Sequence, residues 1–160
     1  MKPLHLILTI CLLLTHTTEA QVYYKANTLT TTNGLSDKRV TCFHQDKKGF
    51  MWIGTRNGLN RYDGHSFKIF RPATGNSISG EVINDIAEDS RGRIWVATME
   101  GLNIYDPATG RWNLMQPDDA NPQNSLPNYI IWDIFIDEDD IVWIVPDNSA
   151  LVSYNIRSSK

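Results

Sequence analysis

The sequence is poor in the residue types on which most catalytic and metal chemistry depends. Its two cysteines are Cys11 and Cys42, and Cys11 falls inside an N-terminal apolar stretch, so one thiol remains beyond it. That excludes an intrachain disulfide in the rest of the chain, and a lone thiol reads first as a small packing group. His44 and His65 are the histidines beyond residue 20, and neither has a second His or Cys at metal-ligand spacing. No serine sits in a nucleophile-elbow context. Basic residues do not cluster and the net charge is −3, which argues against nucleic acid or an anionic membrane as partner. After the first twenty residues no second long apolar run occurs, so no further helical membrane span is expected. Neither a metal nor a cofactor is called for.

What is present begins with an export signal. Lys2 supplies a positive charge, Leu4 to Leu14 is an apolar core, and Thr18-Glu19-Ala20 offers small residues where a signal peptidase reads. Eleven apolar residues are too few for a bilayer that needs about 20. Residues 1–20 are therefore expected to be a cleaved signal peptide, which places the mature chain in the periplasm or otherwise outside the cytoplasm.

The rest of the chain repeats itself. The segment Gly49 to Gly64 (GFMWIGTRNGLNRYDG) returns as Gly92 to Pro107 (GRIWVATMEGLNIYDP). Trp52 and Trp95 are 43 residues apart, as are Asp46 and Asp89, Gly58 and Gly101, and Tyr62 and Tyr105. A third copy, Asp140 to Asn155, sets Trp143 and Asp137 48 residues after Trp95 and Asp89, and carries its tyrosine at Tyr154 after one inserted residue. In this copy Asp140 replaces the turn glycine and Val145-Pro146 replaces Gly54-Thr55, so its turn geometry is the least secure. A fixed period of this length signals a repeat architecture.

Within a period, Val40 to His44, Phe50 to Thr55, Leu59 to Tyr62 and Phe67 to Phe70 read as short strands separated by turn residues. Four hairpin-linked strands make one propeller blade, so the fold class is all-β: three four-stranded antiparallel repeats in an incomplete ring. The in-register tryptophans then fill the space between blades, each indole N–H needing one partner. The aspartates before the turns are expected to hold turn backbone.

Counting strands gives two further expectations. Val22 to Ala26 aligns with the fourth strand of a blade and has no preceding three, as a ring-closing strand would. The third repeat lacks its own fourth strand. The organisation is thus 21–33 orphan strand, 34–76 first repeat, 77–124 second repeat and 125–160 third repeat. Three blades are fewer than the 4–8 or so of closed propellers. The chain is expected either to belong to a longer protein that supplies the remaining blades, or to pair with a second copy by exchanging N-terminal strands.

The pattern from Asp46 to Asp63, repeated from Asp89 to Asp106, resembles the two-component regulator propeller repeat. The resemblance covers nearly all of the chain beyond residue 20. It implies the periplasmic sensor part of a hybrid two-component system, in which propellers precede a membrane helix and a kinase core, and whose ligands are oligosaccharides. No kinase histidine motif, ATP-binding box or receiver aspartate occurs in this sequence. A protein-interaction scaffold and a propeller carbohydrate-active enzyme fragment are the alternative readings, because fold alone does not exclude either. The acidic run Asp137 to Asp140 lacks the spacing of a calcium loop.

Residues that break the repeat are the better candidates for function. Trp132 and the preceding Tyr129 have no aromatic counterparts in the other repeats, and Arg39 lies at the entry to the first repeat's leading strand. Two aromatics and a charge at strand entries suit a sugar ligand.

Overall fold

The structure, a computed structural model, describes residues 24–122 and 125–157; the expected signal peptide lies outside these residues. Three antiparallel sheets follow one another along the chain. The first joins β1 (Val40–Gln45), β2 (Met51–Thr55), β3 (Gly58–Tyr62) and β4 (Phe67–Phe70) in sequential order. The second joins β5 (Ile83–Glu88), β6 (Ile94–Thr98), β7 (Gly101–Asp106) and β8 (Arg111–Met115) in the same order. The third contains β9 (Ile131–Ile136), β10 (Ile141–Pro146) and β11 (Val152–Asn155). These are propeller blades in an open arc, two of four strands and one of three among the described residues. The leading strand β5 lies against both β1 and β9, so the leading strands form the inner edge of the arc. Residues 24–30 carry no strand, and a 3-10 turn over Thr31–Asn33 leads into the first blade.

One hydrogen-bonded device recurs at the first hairpin of every blade. Asp46 accepts the backbone N–H groups of Lys48 and Phe50 on Oδ1 and the Trp52 indole N–H on Oδ2, the last at 2.7 Å. Asp89 does the same for Arg91, Arg93 and the Trp95 indole, and Asp137 for Asp139, Ile141 and the Trp143 indole. One carboxylate thus shapes a turn and satisfies a tryptophan that would otherwise bury an unpaired donor. In the third blade Asp140 takes over the left-handed position of Gly49 and Gly92, with φ 59° against 88° and 77°. The turn survives the loss of glycine because Asp tolerates this region better than most residues. Its carboxylate also ties blade to blade, accepting from the Ser90 hydroxyl at 2.6 Å and from Arg157 Nε at 3.3 Å.

Two apolar cores lie between the blades. Trp52 is buried among Ile83, Ile86, Ile94 and Val96 of the second blade, and Trp95 among Ile131, Ile134, Val142 and Ile144 of the third. Each indole also meets a tyrosine of the next blade, Tyr105 at 5.7 Å and Tyr154 at 6.1 Å between ring centroids. The tryptophans therefore act as the wedges that the taper between blades requires.

Polar pins hold the blade entries. Asn60 accepts the Ser36 N–H at 2.9 Å and donates to the Ser36 hydroxyl, and Asn103 makes the same two contacts with Ser79. Both asparagines are fully buried on the third strands of their blades.

Candidate functional site

The leading strands share an irregularity that the alternation pattern alone does not show. In β1 the pairing runs from Val40 to Cys42 and skips Thr41; in β5 it runs from Ile83 to Asp85 and skips Asn84. In β9, opposite Val145-Pro146, it passes from Asp133 to Ile131 and skips Trp132. The skipped residues hold one repeat position, and each is the extra residue of a β-bulge. A bulge frees a side chain from the ladder and re-aims it, which is why bulges often sit beside binding sites.

Here the three bulge residues open onto one cleft of about 400 Å³, lined by Thr41, Arg56, Val82, Asn84, Met99 and Trp132. Arg56 and Met99 also share a repeat position, in the turns between the second and third strands of the first two blades. The cleft thus crosses all three blades at the end of the arc where the leading strands begin.

The chemistry of the cleft is mixed. Trp132 donates its indole N–H to Asp147 Oδ1 at 2.9 Å, which fixes the ring while leaving it 47% exposed. Asn84 donates to the Ile131 carbonyl at 2.7 Å, and among the described residues its side-chain carbonyl has no donor. Arg56 makes no ion pair among the described residues, so its guanidinium is available to a ligand.

The sequence-based candidates separate at this point. Trp132 lines the cleft. Tyr129 is exposed in the loop before β9 and does not line it. Arg39 does not line it either: its guanidinium grips its own neighbour Asp37 through Nε at 3.1 Å and Nη2 at 3.0 Å. That bidentate pair holds the Asp37 carboxyl down at about 2. Thr41, Arg56, Asn84 and Met99 escaped sequence reasoning, although aligning Trp132 with its counterparts in the other repeats points to Thr41 and Asn84.

Beside the bulges lies a second repeat position, occupied by Cys42, Asp85 and Asp133. Asp85 accepts the Ile134 N–H across the blade boundary at 3.0 Å. Burial, and then the carboxyl of Asp133 hydrogen-bonded to it, raises Asp85 to about 6. Burial likewise pushes the Cys42 thiol up to about 12, with the Asp85 charge adding to the effect, so the thiol stays neutral and unreactive.

Comparisons with known proteins agree with this architecture. Residues 34–57 and 77–100 match the family described as "Two component regulator propeller". Histidine kinase P4 of Formosa agariphila is 56% identical over 39 residues, which is 24% of this chain and 3% of that protein. The extracellular domain of a hybrid two component system of B. thetaiotaomicron superposes with a TM-score of 0.77 at 28% identity, over 84% of this chain and 19% of that one. Virginiamycin B lyase of Staphylococcus aureus superposes with a TM-score of 0.53 at 13% identity, over 79% of this chain and 44% of the lyase, a likeness of fold alone. The chain therefore resembles the extracellular domain of a two-component sensor, not a kinase domain, and spans a small part of such relatives. No helix among the described residues is long and apolar enough to cross a membrane.

Proposed function

From a chain built of two component regulator propeller repeats, we propose a ligand-sensing propeller segment of a two-component sensor that works in the periplasm and responds to oligosaccharides. The observation that carries this reading is the bulge cleft. It offers an indole fixed at its N–H edge by Asp147, with the Asn84 carbonyl and the Arg56 guanidinium lining the same cleft. A flat apolar ring flanked by a few directed polar groups is the composition expected of a small-ligand site. Sugars present that combination, an apolar C–H face rimmed by hydroxyls.

The remaining blades and a membrane-linked kinase region belong, in this reading, to a longer protein, as the short match to a histidine kinase supports. Within segment 21–33, Val22 to Ala26 would supply the strand that completes the last blade of a ring once the other blades are present. Its support is the register of Tyr24-Lys25 with Phe67-Lys68, 43 residues on.

The test is calorimetric titration of residues 21–160 with a panel of neutral and uronic-acid oligosaccharides. Trp132→Ala is expected to weaken the binding oligosaccharide at least tenfold while leaving the thermal midpoint in place, because the ring is half exposed. Unchanged binding with unchanged stability would remove Trp132 and the cleft from the reading.

A further inference from the structure

A second repeat position borders the cleft, and its charge changes sign from blade to blade. Thr55, Thr98 and Pro146 pair with the first residues of their leading strands, Val40, Ile83 and Ile131, so Arg56, Met99 and Asp147 follow at one position. The backbone agrees: Arg56 N–H donates to the Arg39 carbonyl and Asp147 N–H to the Ile130 carbonyl, each on the residue just before a leading strand. This position is cationic in the first blade, neutral in the second and anionic in the third.

In two blades the residue at this position is engaged by the bulge residue beside it. Trp132 donates to Asp147 Oδ1 at 2.9 Å, and Asn84 directs one amide hydrogen to Met99 Sδ at 3.5 Å. The other amide hydrogen of Asn84 goes to the Ile131 carbonyl, so its side-chain oxygen remains as an acceptor. In the first blade the corresponding pair is Thr41 and Arg56, and there the Thr41 hydroxyl turns to Cys42 Sγ at 3.9 Å. Among the described residues no carboxylate pairs with Arg56, and Asp37, two residues before the carbonyl that holds its backbone, is taken by Arg39. A guanidinium stays charged at any working pH and sets its donors in a planar fork. The cleft thus has unfilled donors over the first blade and an engaged carboxylate at its third-blade end. It is centred on the second blade, which has a neighbour on either side, so this polarity belongs to the joints inside the arc.

We infer that the cleft selects an acidic sugar, whose oxyanion sits on the Arg56 guanidinium while a neutral ring lies on Trp132. This rests on the cleft being the ligand site and adds which oligosaccharides it takes. A guanidinium fork binds two oxygens of one anionic group at once, which a neutral hydroxyl cannot match. Asn84 Oδ1 accepts a hydroxyl from the middle of the ligand. The Asp147 carboxylate repels a second anion from the third blade, so the ligand enters in one direction, with its acid over the first blade.

Calorimetric titration of residues 21–160 tests this with two matched pairs, a uronic-acid oligosaccharide against its carboxyl-reduced form and a sulfated oligosaccharide against its desulfated form. At least one acid form is expected to bind about tenfold or more tighter than its neutral parent, and the pair that shows the preference tells carboxylate from sulfate. The preference should shrink at about 1 M salt, where screening is short-ranged. Arg56→Met, which copies the second blade, is expected to bring acid and neutral forms to within about twofold of each other. Arg56→Lys should keep part of the preference, having the charge without the fork. Arg56 is exposed, so an unchanged circular dichroism spectrum will show that both variants fold. Equal binding of acid and neutral forms, with both weakened by Trp132→Ala, overturns this inference and leaves the cleft as the site. An acid preference that survives Arg56→Met also overturns it. Binding that neither Trp132→Ala nor Arg56→Met weakens, or no binding by any of the four sugars, removes the cleft and this inference together.

Discussion

Asp85 offers the sharpest test of how the leading strands are held, because its ionisation opposes the fold. Its carboxyl is raised from 3.8 to about 6 by burial and by Asp133, while it accepts the Ile134 N–H from the next blade. A group whose folded value lies above its unfolded one favours the fold when protonated. Stability is then highest below 3.8, declines as the pH climbs from 3.8 to about 6, and is level beyond. At 1.36 kcal/mol per tenfold, the full difference sets a ceiling of about 3 kcal/mol. The side chain is only half-buried, and solvent screening brings the expected effect to about 1–2 kcal/mol. Asp85→Asn keeps the acceptor for Ile134 and removes the charge. Urea unfolding of residues 21–160 at intervals between pH 4 and 8 should therefore show the variant level with the native chain near pH 4. It should be more stable by about 1–2 kcal/mol above pH 6. Asp106, Asp137 and Asp140 are lowered by their hydrogen bonds and pull stability the other way as the pH falls, so the difference between the two proteins is the quantity to follow. A difference that stays constant across this range would refute the account of Asp85 as a carboxyl raised chiefly by burial.

Further outcomes follow from the repeated devices. Trp52→Phe should cost more than Trp95→Phe, because Asp89 keeps a charge-assisted bond from Arg93 at 2.6 Å whereas Asp46, with Phe50 in the place of Arg93, is left with an unfilled oxygen. The gap should be about 1–2 kcal/mol in denaturant unfolding, and equal costs would sink the explanation. Asn103→Ala removes both contacts to Ser79 from a fully buried position and should destabilise by about 2–3 kcal/mol, read from the shift in urea midpoint. Cys42 should resist thiol reagents in the folded chain at pH 8 and react once urea unfolds it, since its thiol lies up at about 12. Rapid labelling under native conditions would contradict that burial.

The blades were legible because the interaction that defines them is local. Asp46, Gly49 and Trp52 lie within seven residues: the Asp46 carboxylate takes the Trp52 indole N–H and its backbone carbonyl takes the Gly49 N–H, so repetition in sequence reports repetition in structure. The strand limits agree closely for the same reason: β4 is Phe67–Phe70 in both, and β1 runs one residue beyond His44. The third blade's turn held despite Asp140, because the demand at that position is a positive φ and not glycine itself. What the glycine count left out is that the replacement gained a cross-blade bond to Ser90.

The cleft was harder to find because what builds it is a departure from pairing, and pairing is a relation between strands. Nothing in Val40-Thr41-Cys42 or Ile83-Asn84-Asp85 distinguishes a bulge from an ordinary strand entry; the skip appears only when each strand is set beside its partner. Arg39 illustrates the error this invites. It lies near the cleft in sequence and carries the right charge, but Asp37, two residues away, claims its guanidinium at 3.0 Å. Arg56 is 17 residues farther along and arrives through a turn of a different strand pair, with its charge unspent. In a repeat fold the inter-blade frame is therefore written in the residues that recur. The proposed binding surface lies in the side chains that vary at the one position every blade releases from its ladder. Trp132 drew notice as the aromatic exception at that position; Thr41 and Asn84 are its counterparts, and the three together are what the ligand would meet.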